Sequence, residues 1–188
     1  MASVGYTVDL ITQAQNPICW ICSCAMVKGW GTQRSVGVGD LLGGGIDPSN
    51  ASISNSAADW NACVNLMTGW GFNMQSVASL SQSGSMQASD VLQAMTQLGP
   101  AVLLHRCAGF PYGPQWAAPP PGSAHAVVLT SIDASNNILT FNNPWGDLNQ
   151  SAGTGPVLLI MNNDSSTYQS ILGFWPQPAN PTPTSQTT

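Results

Sequence analysis

A chain of 188 residues with a net charge of −5 and three basic residues, Lys28, Arg34 and Arg106, cannot neutralise a phosphate backbone. That argues against nucleic acid as a partner and against anionic membrane surfaces. Apolar residues make up 43% of the chain, enough for one domain with its own core, while charged residues make up 6%, where about 25% is usual.

Surface polarity therefore falls to Ser, Thr, Asn and Gln. No glutamate is present, so a two-Glu acid/base pair is impossible, and a histidine base must be His105 or His125. No apolar run reaches the roughly 18 residues that a membrane span needs. The opening "MASVGYTVDLITQ" shows neither the basic nor the apolar region of a Sec signal peptide. Low charge with abundant Ser, Asn and Gly suits exported bacterial proteins, so a secreted or exported protein without a visible Sec signal is expected. Five cysteines leave at least one unpaired in any intramolecular scheme.

The apolar group "YTVDLI" within residues 1–16 reads as a strand or an extended arm. From Pro17 the pattern is helical, with Ile18, Ile21, Cys22, Ala25 and Met26 at three- and four-residue spacing. Asn16 suits the N-cap, Pro17 the first helical position, and Gly29 the end. Ala57 to Met67 predicts a second helix stopped by Gly69, and "DVLQAMTQL", capped by Ser89, a third stopped by Gly99-Pro100. Strands are then expected at 101–105, "AVLLH", and in a hairpin made of "HAVVLTSID", the turn "ASNN" and "ILTFNN". Two more are expected at "PVLLIM" (156–161) and "SILGFW" (170–175). The expectation is an α+β domain over 1–175, helices first and an antiparallel sheet second, followed by a Pro/Thr-rich disordered tail at 176–188.

The chemistry concentrates in "QAQNPICWICSCAM", where Cys19, Cys22 and Cys24 crowd one helix start. At about 100° per residue, Cys24 lies roughly 140° from Cys19, so the three thiolates cannot converge on one metal ion. Cys63 and Cys107 are isolated in the sequence and complete no zinc pattern. "CWIC" is a C-x-x-C, but the hydrophobic strand that leads into a thioredoxin-type motif is missing. A nucleophile fits better, because a helix N-terminus stabilises a thiolate and supplies amides to an oxyanion. From the helix alone, a reactive Cys19 and an inert buried one are about equally compatible.

A cysteine nucleophile needs a histidine and a group that orients it. His125 opens the apolar strand "HAVVL" after a Gly-Ser hinge, and Asn143 ends the neighbouring strand in "NNPWG". Paired strands bring such positions within reach of each other. Taken alone, His125 reads more readily as a surface or strand-capping histidine.

Together, "QAQNPICW", "HAVVLTSID" and "NNPWG" resemble the papain superfamily of cysteine peptidases. The resemblance is to its compact bacterial branch, which includes bacteriocin-processing peptidase-like proteins and the papain-like effector proteases of plant pathogens. Gln13, Cys19 and Trp20 match the family's Gln-x5-Cys-Trp pattern, His125 its strand-opening histidine, and Asn143 its third member before Pro-Trp-Gly. Compact bacterial members often carry Asp there.

The resemblance implies a papain-like α+β fold and a monomeric peptidase that acts on a protein or peptide substrate without a cofactor or metal. It implies a Cys19 thiolate paired with protonated His125, oriented by Asn143, and an oxyanion hole from the Gln13 side chain and the Cys19 N–H. Trp20 and Trp145 would support the cleft, and an effector or toxin role follows by analogy. A deamidase or transglutaminase-like toxin using the same Cys-His pair, or a silent papain-like binding module, are the alternatives. Phe110, Tyr112 and Trp116 read as a cleft wall or as aromatics packed on the sheet, and His105 as structural.

Overall fold

The structure, a computed structural model, describes residues 3–13, 17–42, 57–112, 123–163 and 170–176. Asn16, Trp116 and the tail beyond Pro176 lie outside the described residues. Strand β1 (Ser3–Gly5) leads into an arm, residues 6–13, that has no regular secondary structure. Helix α1 (Cys19–Thr32) follows, then the short α2 (Val38–Leu41), α3 (Ala57–Gly69), strand β2 (Asn73–Ser76), short α4 (Val77–Leu80) and α5 (Ala88–Leu98). The sheet continues with β3 (Ala101–Arg106), β4 (Ala124–Asp133), β5 (Ile138–Asn143) and β6 (Asp147–Gly153). Helix α6 (Thr154–Asn163) and strand β7 (Ile171–Phe174) complete the described chain.

The sheet runs β2-β7-β3-β4-β5-β6 with β1 paired to the far end of β4, and every pairing is antiparallel. This is the expected α+β architecture. Residues 125–130 of β4 are all buried, so both faces at the centre of the sheet are covered. Helix α1 packs against β3 and β4, and its residues 19–27 are buried without a break. Burying a side chain such as Ile21, which is fully enclosed, contributes about 1.5–3 kcal/mol.

Four expectations are corrected. Helix α1 begins at Cys19, with Ile18 as its N-cap, so Pro17 stands outside it. It also runs past Gly29 to Thr32, where Gln33 closes it in the left-handed region at φ 53. The glycines in the last turns serve packing. A Cβ on Gly31 would stand 2.2 Å from Trp175 Cδ1, so only glycine lets the chain after β7 lie against the helix. Lys28 sits over the same indole, 5.0 Å from the ring centroid.

Helix α5 is entered from Gln87, whose N–H donates to the Asp90 carboxylate at 3.0 Å, and Ser89 lies inside the helix. The run 156–161 is part of α6 and not a strand. Val157, Ile160 and Met161 are buried at three- and four-residue spacing while Leu159 stays 61% exposed, which is a helical period. Pro156 is tolerated in the first turn, where amides lack partners anyway. Strand β6, a polar segment with no hydrophobic signature, takes its place beside β5.

Candidate active site

Cys19 occupies the first position of α1, and Ile18 offers no side-chain acceptor to the orphan amides of the first turn. One of those amides, that of Trp20, lowers the Cys19 thiol pKa slightly. The backbone amide of Ala126, one residue past His125, lies near the same sulfur and favours its ionised form. The thiol therefore lies between the helix terminus and the start of β4. It is 6% exposed. Trp20 is buried and stacks on Trp70 at 5.3 Å and 12°, anchoring the first turn against the chain after α3.

His125 begins the buried part of β4, cross-strand from His105 on β3. Its Nε2 lies 2.9 Å from Asn143 Oδ1. The direction of the Asn143 amide is fixed independently. Its oxygen accepts from Trp145 N–H at 3.2 Å, and its nitrogen donates to the Asp147 carboxylate at 3.3 Å. An acceptor facing Nε2 places the ring proton on Nε2, so neutral His125 keeps Nδ1 unprotonated as a base. Trp145 stacks on the imidazole at 4.2 Å and 27°, covering the His-Asn contact.

Tyr112 closes another side, 5.6 Å from His125 and 5.1 Å from Trp145 by ring centroids. Phe110 stacks on His105 at 4.0 Å and meets Phe141 edge-on. These loop aromatics pack on the sheet around the histidines.

Burial governs the titration of the pair. It pushes the Cys19 thiol up to about 12, with Cys107 and Cys22 adding to the rise and the two amides opposing it. It pulls His125 down to about 4, against the opposing bond to Asn143. His105 falls to about 3 through burial and the neighbouring His125. The thiolate–imidazolium pair expected from the sequence is thus opposed by desolvation of each ion in the closed site, which favours thiol and imidazole. All five cysteines are free thiols, and Cys22 and Cys24 are fully buried in the core.

Gln13 ends the described arm. Its N–H donates to the Pro144 carbonyl at 2.8 Å, next to Asn143. Its side-chain Oε1 is buried with no hydrogen-bond partner among the described residues. The fold therefore brings the Gln13 arm, the Cys19 helix start, His125, Asn143 and Trp145 into one locality, from positions far apart in sequence.

Two residues of this locality escaped the sequence reading. Asp147, which holds the Asn143 amide, sits four residues past Asn143 at the start of β6, and a carboxylate at that spacing across a turn carries no distinctive pattern. Asn142, fully buried, donates to the Val8 carbonyl at 2.8 Å and accepts from Asn149 N–H at 2.9 Å. Only its place in the doublet "NN" hinted at it. Among the described residues no helix is long and apolar enough to cross a membrane.

No curated protein matches the chain. A family described as papain-like cysteine protease AvrRpt2 matches residues 2–155, a span that includes Gln13, Cys19, His125 and Asn143. The chain therefore belongs to this family of papain-like cysteine proteases, hydrolases that act on peptide bonds in protein substrates.

Proposed function

We propose that the peptidase works through Cys19 as nucleophile, His125 as general base and acid, and Asn143 as the group that orients the imidazole. The Gln13 side-chain amide and the Cys19 backbone N–H would form the oxyanion hole. The observation that carries the reading is the 2.9 Å contact between His125 Nε2 and Asn143 Oδ1, one residue from Ala126, whose amide lies near the Cys19 sulfur.

In the resting site both partners are neutral. As sulfur approaches the scissile carbonyl carbon, its proton passes to His125 Nδ1 and the C–S bond forms. Desolvation opposes each ion by itself, so thiolate and imidazolium are formed together, with their attraction and the Ala126 and Trp20 amides offsetting the cost. The carbonyl oxygen takes negative charge and accepts from Gln13 and the Cys19 N–H. Donors so placed are worth about 3–4 kcal/mol.

Nδ1–H then protonates the departing amine, leaving an acyl-thioester. Water, deprotonated by Nδ1, attacks that thioester and releases Cys19 as the thiol. Throughout, Asn143 keeps the other ring proton on Nε2, and Trp145 shields the contact from water. Trp20 supports the cleft indirectly, by holding the helix start.

The proposal extends to the setting. Low charge and a surface of Ser, Asn and Gly suit an exported bacterial effector or toxin, acting as a monomer without metal, cofactor or nucleic acid. The test is Cys19→Ala in the full chain, offered proteins of a candidate target cell. Target cleavage should vanish while the thermal unfolding midpoint stays near the wild-type value. Undiminished cleavage by Cys19→Ala would show the assignment to be wrong.

A further inference from the structure

Successive side chains of a strand leave it on opposite sides. On β5, Asn143 reaches His125 while Asn142 reaches the N-terminal arm. Both ends of the Asn142 amide are committed, Nδ2 to the Val8 carbonyl at 2.8 Å and Oδ1 to the Asn149 N–H at 2.9 Å. The first partner can only accept and the second can only donate, so flipping the amide would lose both bonds.

Val8 lies on the arm whose last described residue is Gln13, and the Gln13 N–H returns to β5's own continuation at Pro144 O, 2.8 Å away. A closed circuit results, running from Asn142 through Val8 and the arm to Gln13, then through Pro144 and Asn143 back to Asn142. The arm has no strand or helix to stiffen residues 6–13. Nearer β1 it is tied by Tyr6, whose N–H donates to Thr130 O at 2.8 Å and whose hydroxyl donates to Met95 O at 2.6 Å. Beyond Tyr6, the bonds from Asn142 and to Pro144 hold the arm to the strand that carries Asn143.

We infer that Asn142 is a positioning residue for the reaction: its amide clamps the Val8–Gln13 arm to β5, fixing the spacing between the Gln13 oxyanion donor and the His125–Asn143 pair. The inference rests on the proposed oxyanion role of Gln13. A donor misplaced by about 1 Å can cost as much as 100-fold in rate. The clamp touches neither the sulfur nor the imidazole, so it governs steps that develop an oxyanion and leaves intrinsic thiol reactivity alone.

Two probes separate these effects without a known substrate. Hydrolysis of p-nitrophenyl acetate passes through a tetrahedral oxyanion, whereas carboxamidomethylation by iodoacetamide displaces iodide and forms none. Both are measured on the full chain as Cys19-dependent rates, with Cys19→Ala subtracted and the alkylated residue mapped by mass spectrometry.

Asn142→Leu keeps the branched side-chain shape and removes both amide bonds, to Val8 and from Asn149. It should lower kcat for the ester about tenfold at unchanged KM, with the alkylation rate unchanged. Gln13→Ala should lower kcat about 100-fold, and adding Asn142→Leu to it should lower kcat no further, because the clamp acts through Gln13. Asn142→Ser, too short to reach both partners, supplies the same readings if the leucine variant does not fold.

Equal losses in hydrolysis and alkylation, an unchanged kcat, or a loss that multiplies with that of Gln13→Ala would each overturn the clamp. If Gln13→Ala leaves ester hydrolysis unchanged while Cys19→Ala abolishes it, the oxyanion role itself fails, and the clamp with it.

Discussion

Behind Cys19, helix α1 is held by shape. Residues 19–27 are buried in succession, Trp20 stacks on Trp70, and Gly31 admits Trp175. Behind His125 the support is a chain of polar contacts, from Nε2 to Asn143, and from Asn143 to Asp147 and the Trp145 amide. Apolar packing fixes where a backbone lies but is indifferent to protonation. A hydrogen-bond chain fixes which atom carries a proton, because each partner can only donate or only accept. The helix wall therefore supplies position and stability, and the sheet wall sets the chemical state of His125.

Substitutions that separate position from protonation probe this division. His125→Ala should produce the largest effect, about a 1000-fold loss of Cys19-dependent ester hydrolysis per folded molecule. Ile21→Ala, on the helix wall, should destabilise the fold by about 2–5 kcal/mol in urea unfolding while the rate per folded molecule is kept. A collapse of that rate would mean that the helix wall carries chemistry as well as position. Asn143→Ala should lose about 30-fold in rate, or about 2 kcal/mol, and Nδ1/Nε2 tautomer signals of His125 by NMR should become mixed.

Acid should weaken the sheet wall selectively. His125 and His105 have folded values depressed from 6.5 to about 4 and about 3. The unfolded chain therefore binds more protons below pH 6.5, and stability is lost as pH falls from there toward those folded values. Above pH 9 the sign reverses for the buried thiols. Cys19 stays protonated in the fold up to about 12, while the unfolded chain ionises near 9, so stability declines as pH rises. Thermal unfolding from pH 4 to pH 10 should show a maximum between these limits, and His105→Phe should flatten its acid side. The smallest effect is expected from Asp147→Ala, about threefold in rate, because the Trp145 amide still holds Asn143 Oδ1.

The main helices α1, α3 and α5 and the β4–β5 hairpin were legible because their periods of 3.6 and 2 are written in local apolar spacing. Where a segment is polar or continuously apolar, local spacing fails. The run 156–161 reads as a strand until the burial of Val157, Ile160 and Met161 beside exposed Leu159 reveals a helix. Strand β6 has little apolar content to announce it and is formed by pairing with β5. The start of α1 moved from Pro17 to Cys19, where Ile18 is the N-cap and supplies no side-chain hydrogen bond.

By itself the sequence determined which residue types were available for chemistry, with no glutamate, two histidines and one Cys-Trp pair opening a helix. It also determined their order, because Gln13, Cys19, His125 and Asn143 fall in a recognisable succession. Only the tertiary structure decided that His125 Nε2 faces the Asn143 oxygen, that burial raises the Cys19 thiol and lowers His125, and that Asn142 ties the Gln13 arm to the strand bearing Asn143. Protonation and position depend on which groups meet across the fold and how much water they lose there, and neither quantity is encoded in local spacing.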